Sequence, residues 1–214
     1  MSAVTALPAG QDPLRHLFER EQVWQGRRAP SGPGAEPTGW PELDAALPLG
    51  GWPRAALTEI LLPADGIGEL RLLLPTLARL TGNGQTVAVV APPYCPYAPG
   101  WCLHGTDLAR IEFIQTDDRQ ALWAMEQCLR SGSCAAVLGW PRTGDSRHLR
   151  RLQVAADTGR ALAFVCRSQR HADNPSPAAL RLDLQARPRP ALRIRKCRGG
   201  QPPAQPVPLP AAWP

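Results

Sequence analysis

The chain has 214 residues, 43% hydrophobic and 20% charged, with a net charge of +6; this suits one domain with tails and a substantial core. No apolar run approaches the roughly 18 residues of a membrane span. The first ten residues lack the basic start and apolar stretch of a signal peptide, so a cytoplasmic protein is expected.

Residues 1–10 read as disordered. Asp12 is a plausible N-cap with Pro13 at the first helical position. Leu14, Leu17, Phe18, Glu21 and Trp24 then follow one helical face. Gly26–Pro37, rich in Gly, Pro and Arg, reads as a flexible linker. The helix ahead of it packs either on its own domain or on a partner, through Leu14, Leu17 and Phe18. A short helix is expected around Leu43, Ala46 and Leu47, followed by a turn at Gly50–Pro53. Trp40 and Trp52 fall at turns within reach of a partner.

Leu57–Leu80, LTEILLPADGIGELRLLLPTLARL, reads as strand, glycine-containing loop and helix. The helix is expected from Glu69, with Leu70, Leu73, Leu74, Leu77 and Leu80 at helical spacing. In α/β nucleotide proteins such a loop and helix start cradle phosphate. A phosphate loop needs Gly-Lys-Ser/Thr, the lysine for phosphate and the hydroxyl for Mg²⁺. Here Gly66 and Gly68 are followed by Glu69 and Leu70, which put an anion in place of the cation and remove the hydroxyl. The single lysine, Lys196, is remote, so no shift of alignment repairs the loop. No enzyme and no cofactor are expected.

Further on, the turn 82–84 precedes a β-branched strand over 86–91. The prolines of APPYCPYAPGW argue against helix and central strand. Strands follow at 111–114, 134–138 and 161–166, with helices at 119–131 and 146–158. Asp117 and Asp118 read as a helix N-cap pair rather than an acid/base dyad. Strands alternating with helices describe a mostly parallel sheet with right-handed crossovers. Residues 180–184 and 191–195 alternate apolar and charged, which implies a half-exposed antiparallel pair. Gln201–Pro214 is Pro-rich and reads as disordered or extended.

The six cysteines form no Cys-x-x-Cys pair, and their mostly apolar contexts suggest buried reduced thiols. His16, His104, His148 and His171 have no metal spacing. The charge excess lies at one end: residues 181–214 carry seven cations against Asp183, leaving the first 180 residues neutral. Arg193, Arg195, Lys196 and Arg198 could neutralise the phosphates of single-stranded DNA, or guard an edge strand.

The order of elements resembles a RecA core. TGWPELDAALPLGGWPRAALTEI is similar to the segment leading into the RecA phosphate loop, RQALWAMEQCLRSGSCAAVLGW to its helix and second nucleotide strand, and HLRRLQVAADTGRALAFVCRSQ and LRIRKCRGG to the strands that follow. GIGELRLLLPTLARL looks most like the ImuA proteins, which are RecA-like and also called SulA-like. The resemblance implies a RecA-like, mostly parallel twisted sheet flanked by helices with a C-terminal antiparallel pair. It covers roughly residues 38–198, so the expected domains are 1–37 (N-terminal helix and flexible linker), 38–198 (RecA-like core) and 199–214 (disordered Pro-rich tail). It also shows Gly139 where a metal-associated Asp stands, Pro92-Pro93 where a catalytic Glu stands, and a DNA-binding loop shortened to about Arg167–Pro177. The implied role is a non-catalytic accessory protein in SOS-induced translesion synthesis, with ImuB, an error-prone C-family DNA polymerase and RecA as partners, near the nucleoid. The alternative is a SulA-like division inhibitor that binds FtsZ.

Overall fold

The computed structural model describes residues 34–186 and 189–210. Its centre is an eight-stranded sheet in the order β10-β9-β8-β3-β7-β6-β4-β5. These strands are β3 (Ala56–Leu62), β4 (Thr86–Val90), β5 (Ile111–Ile114), β6 (Cys134–Gly139), β7 (Leu162–Ser168), β8 (Leu180–Gln185), β9 (Ala191–Cys197) and β10 (Val207–Pro208). The six strands from β5 to β8 run parallel, while β9 is antiparallel to both β8 and β10. A separate two-stranded pair joins β1 (Ala35–Glu36) to β2 (Trp52–Pro53).

Parallel strands need crossovers, and the helices supply them on both faces. Helix α1 (Pro41–Ala46), α2 (Glu69–Gly82) and α3 (Ala98–Leu103) cover one face, and α4 (Asp118–Arg130) with α5 (Ser146–Gly159) cover the other. The leucines of α2 pack on Ile60, Leu62, Val87, Val89 and Phe164. Met125, Leu129, Leu149 and Leu152 pack on Leu57, Ala88, Val137 and Val165. The central strands are buried on both faces, which is why their sequences are continuous apolar runs. Asp117 caps α4 by accepting from the amides of Arg119 and Gln120, as the sequence implies.

Several expectations are corrected. A helix, α3, forms at the end of the proline stretch, because its proline falls in the first turn, where no intrahelical N–H is needed. The end of the expected linker is tied down: β1 pairs with β2, and Glu36 holds both Arg54 and Arg79 at 2.7 Å. Trp52 is fully buried, donates to Thr76 Oγ1 at 2.9 Å and stacks edge-on against Phe164, so no partner reaches it. Trp40 is half-buried and donates to the Leu72 carbonyl. Only Cys166 and Cys197 are buried; Cys95 and Cys102 are exposed.

The C-terminal strands also differ. The alternation of β8 marks no exposed face, since Arg181 and Asp183 are buried in ion pairs. Of the two readings of the tail, the extended one is observed at β10, with Val207 and Leu209 buried. A proline is tolerated there because the strand lies at a sheet edge.

Candidate functional site

The carboxyl ends of β3, β4, β6 and β7 converge on one edge, where open α/β sheets place their ligands. The loop Pro63–Gly68 leaves β3 there, and Gly66 and Gly68 adopt φ of 79° and 112°, which a β-carbon would oppose. Glu69, the first residue of α2, is 2% exposed. Its Oε1 accepts from the Gly66 amide at 2.9 Å and from Trp140 Nε1 at 3.4 Å. The loop amide that a phosphate would use is thus occupied by a carboxylate of the chain itself. Leu70 packs against the core instead of offering a hydroxyl. At the end of β6, a β-carbon on Gly139 would run into Met125 Sδ, so an aspartate there would require the Met125 side chain to move.

A ladder of buried charges crosses the neighbouring strands. Glu59, fully buried in β3, pairs with Arg167 at 3.1 Å and Arg181 at 2.7 Å. Arg167 Nη2 also donates to the Gly144 carbonyl, and Arg181 Nη2 to that of His171. Burial, with Arg167 and Arg170 beside it, holds His171 below the usual imidazole range. Arg167 Nε is buried with no acceptor among the described residues.

Two cavities open on this edge. One, of about 130 Å³, is lined by Asp65, Arg142, Arg167, Ser168 and Arg170, with Cys166 behind. Burial, and then the nearby charges of Glu69 and Asp65, push the Cys166 thiol well above the usual thiol range. The second, of about 310 Å³, is an apolar trough floored by Leu70, Leu74 and Trp101, with Tyr94 and Tyr97 at its rim. Trp140 and Pro93 line both. Ala91, at the end of β4, is held at φ 48°, an unusual conformation for a non-glycine residue.

The residues singled out in the basic C-terminal stretch have separate fates. Arg195 is held by Asp183 at 2.8 Å and Asp173 at 3.1 Å, and the hydrogen bond it donates to Asp183 raises its pKa. A register shift between Arg181 and Leu182 interrupts the alternation opposite it. Lys196 donates to the Ser176 carbonyl, and burial, followed by Arg181 and Arg198, lowers its pKa. Arg193 and Arg198 are exposed. Leu14, Leu17 and Phe18 lie outside the described residues. Among the described residues no cluster of His, Cys, Asp and Glu suits a metal ion, and no helix is long and apolar enough to cross a membrane.

Sequence reasoning missed Arg142 and Arg170 altogether and took Arg167 only as a loop boundary. One signal was available: Glu59 interrupts the apolar run LTEILL, and a carboxylate inside a buried strand requires cationic partners.

No protein-family model matches the chain. Its sequence is similar to SulA. It is 34% identical to a "Cell division inhibitor SulA" of Photorhabdus laumondii over 116 residues, which are 53% of this chain and 65% of that protein. It is 32% identical to the SulA of Edwardsiella piscicida over 104 residues, 47% of this chain and 61% of that one. The chain therefore spans less than two thirds of either relative. A crystal structure of SulA from Pseudomonas aeruginosa matches 52% of this chain and 97% of its own, at 25% identity and a TM-score of 0.45. The relatives so named are division inhibitors, and the accessory role with ImuB and a polymerase draws no support from them.

Proposed function

We propose that the protein is a non-catalytic, SulA-like inhibitor of cell division that acts by binding FtsZ. The observation that carries this reading is the 34% identity over 116 residues to a protein named as a division inhibitor. The site geometry agrees with a binding role. Glu69 fills the loop position of a catalytic lysine and accepts the Gly66 amide, and Met125 fills the space beside Gly139. Purified protein is expected to release no phosphate from Mg-ATP above background, and turnover abolished by Glu69→Ala would overturn the non-catalytic part. Induced expression in rod-shaped bacteria should produce long filaments, and FtsZ should co-purify with the tagged chain. Normal division with no FtsZ recovered would reject the reading.

The accessory role in SOS-induced translesion synthesis, on a RecA-like core, is the second reading. It draws on the parallel sheet with its β3–loop–α2 unit. The same purification separates the two: recovery of ImuB, a C-family polymerase or RecA in place of FtsZ would favour it. Direct contact with single-stranded DNA would fall to the exposed Arg193 and Arg198 rather than to Arg195, which its two aspartates occupy.

A further inference from the structure

We propose that Cys128 and Cys134 form an oxidation site, a dithiol that hydroperoxides convert to an intrachain disulfide. The site lies at the amino end of β6, at the opposite end of that strand from Gly139.

The fold brings the two thiols together. Cys128 stands in the last turn of α4, and Cys134 is the first residue of β6. Both are half-buried and pack against the same side of the core. Their sulfurs share a hydrogen bond, which Cys134 donates to Cys128. The turn between them is held in place. Ser131 Oγ donates to the Cys128 carbonyl at 2.8 Å and accepts the Ser133 amide at 3.1 Å. On its other side Gly159 of α5 packs against the Leu129 carbonyl, too closely for a β-carbon. The β6 end keeps some freedom. Thr86 pairs with Cys134 and Val87 with Ala136, so Ala135 is an extra residue that interrupts the ladder just after the cysteine.

The pair is also divided in role. The hydrogen bond from Cys134 holds the Cys128 thiol down, to about 7, against the effect of burial, so a large share of it is thiolate at neutral pH. The same bond, with burial and the charges of Cys128 and Glu112, pushes Cys134 up and keeps it protonated. Burial raises Cys166 and Cys197 as well. Cys128 is therefore the attacking sulfur and Cys134 the resolving one. The Cys128 thiolate attacks a peroxide oxygen, the O–O bond breaks, and the leaving alkoxide takes up a proton to depart as alcohol. This leaves a sulfenic acid on Cys128. The Cys134 sulfur then attacks the Cys128 sulfur, the S–O bond breaks, and hydroxide departs with the Cys134 proton as water. In sum, two thiols and one hydroperoxide give a disulfide, an alcohol and water; the sulfurs lose the two electrons that the peroxide gains. With hydrogen peroxide the alcohol is a second water.

The test treats the full chain, reduced and at low micromolar concentration, with a small excess of hydrogen peroxide at neutral pH, then blocks the remaining thiols with N-ethylmaleimide. Trypsin cuts after Arg130, between the two cysteines, so the bond joins residues 120–130 to 131–142 in one species that mass spectrometry detects and dithiothreitol separates. This linked pair should form about tenfold faster than any bond of the exposed Cys95 or Cys102, and unfolding in urea should slow it by about as much. Cys134→Ser should leave Cys128 as a sulfenic acid that dimedone captures, whereas the unchanged chain should take up little dimedone. A pair that forms equally fast in urea, or a first bond from Cys128 to another cysteine, would overturn the proposal. So would a dimedone adduct on Cys128 that accumulates in the unchanged chain. The urea comparison uses the unchanged chain and decides the matter even where the serine variant misfolds.

Discussion

Glu69 shows how one side chain can close a site. Its carboxylate oxygen serves the Gly66 amide and the Trp140 indole, and its Oε2 has no partner among the described residues. Glu69→Ala strands two donors at a buried position. It is expected to lower stability by about 1–3 kcal/mol, whereas Glu69→Gln, which keeps an acceptor oxygen, should cost less. Urea midpoints of the two variants decide this; equal losses would show that charge rather than hydrogen bonding holds the loop. A second residue-scale feature is the contact between Cys128 and Cys134. The hydrogen bond from Cys134 lowers the Cys128 thiol to about 7, while the same contact, with burial, raises Cys134. The reactive thiolate of Cys128 grows in as pH rises through about 7, so its alkylation by iodoacetamide should be half-maximal near neutral pH. Cys134 should lag far behind. Mass spectrometry of timed digests reads both rates.

At the scale of elements, β3, β7, β8 and β9 are joined by charge as well as by backbone ladders. Glu59 on β3 balances Arg167 on β7 and Arg181 on β8, and Asp183 on β8 holds Arg195 on β9. Removing one member of a buried ionic group costs more than the group contributes as a whole, because the remaining charges stay desolvated. Glu59→Ala should therefore destabilise the chain by about 3–5 kcal/mol. Arg54→Ala, which breaks an exposed pair with Glu36, should cost at most about 1 kcal/mol. Similar midpoints for the two variants would remove the buried ladder from the account of stability. The edge strand β10 makes a different contribution. Val207 and Leu209 are buried against the apolar face of β9, and the Leu209 amide donates to the Pro190 carbonyl. Val207→Ala with Leu209→Ala should lower stability by about 2–4 kcal/mol; no change in thermal unfolding would return this stretch to a free tail.

Across the whole molecule, stability should be graded from the middle of the sheet outward. β3 is paired on both sides, by β7 and β8, and every residue in it is buried. β5 sits at an edge with Glu112 and Phe113 exposed. Amide exchange in β3 should require global unfolding, whereas β5 should open locally and exchange much faster.

Much of this architecture was readable without a structure. The apolar runs at 57–62, 86–91, 111–114, 134–138 and 161–166 and the leucine spacing after Glu69 mark their elements because hydrophobic periodicity is a local property of the chain. The replacement of lysine and hydroxyl by Glu69 and Leu70 was equally plain, since it needs only residue identity. Other features depended on strand order and register. Arg181 and Asp183 looked like the wet face of a strand until β8 was placed beside β3 and under residues 169–177. Arg142 and Arg170 leave the ends of β6 and β7, which are neighbours only in the folded sheet, and their shared cavity has no signature along the chain. Sequence by itself determined the central strands, the helices between them and what the loop after β3 lacks; tertiary structure decided which charges meet and where the short α3, β1 and β2 form, because burial in three dimensions selects the neighbours.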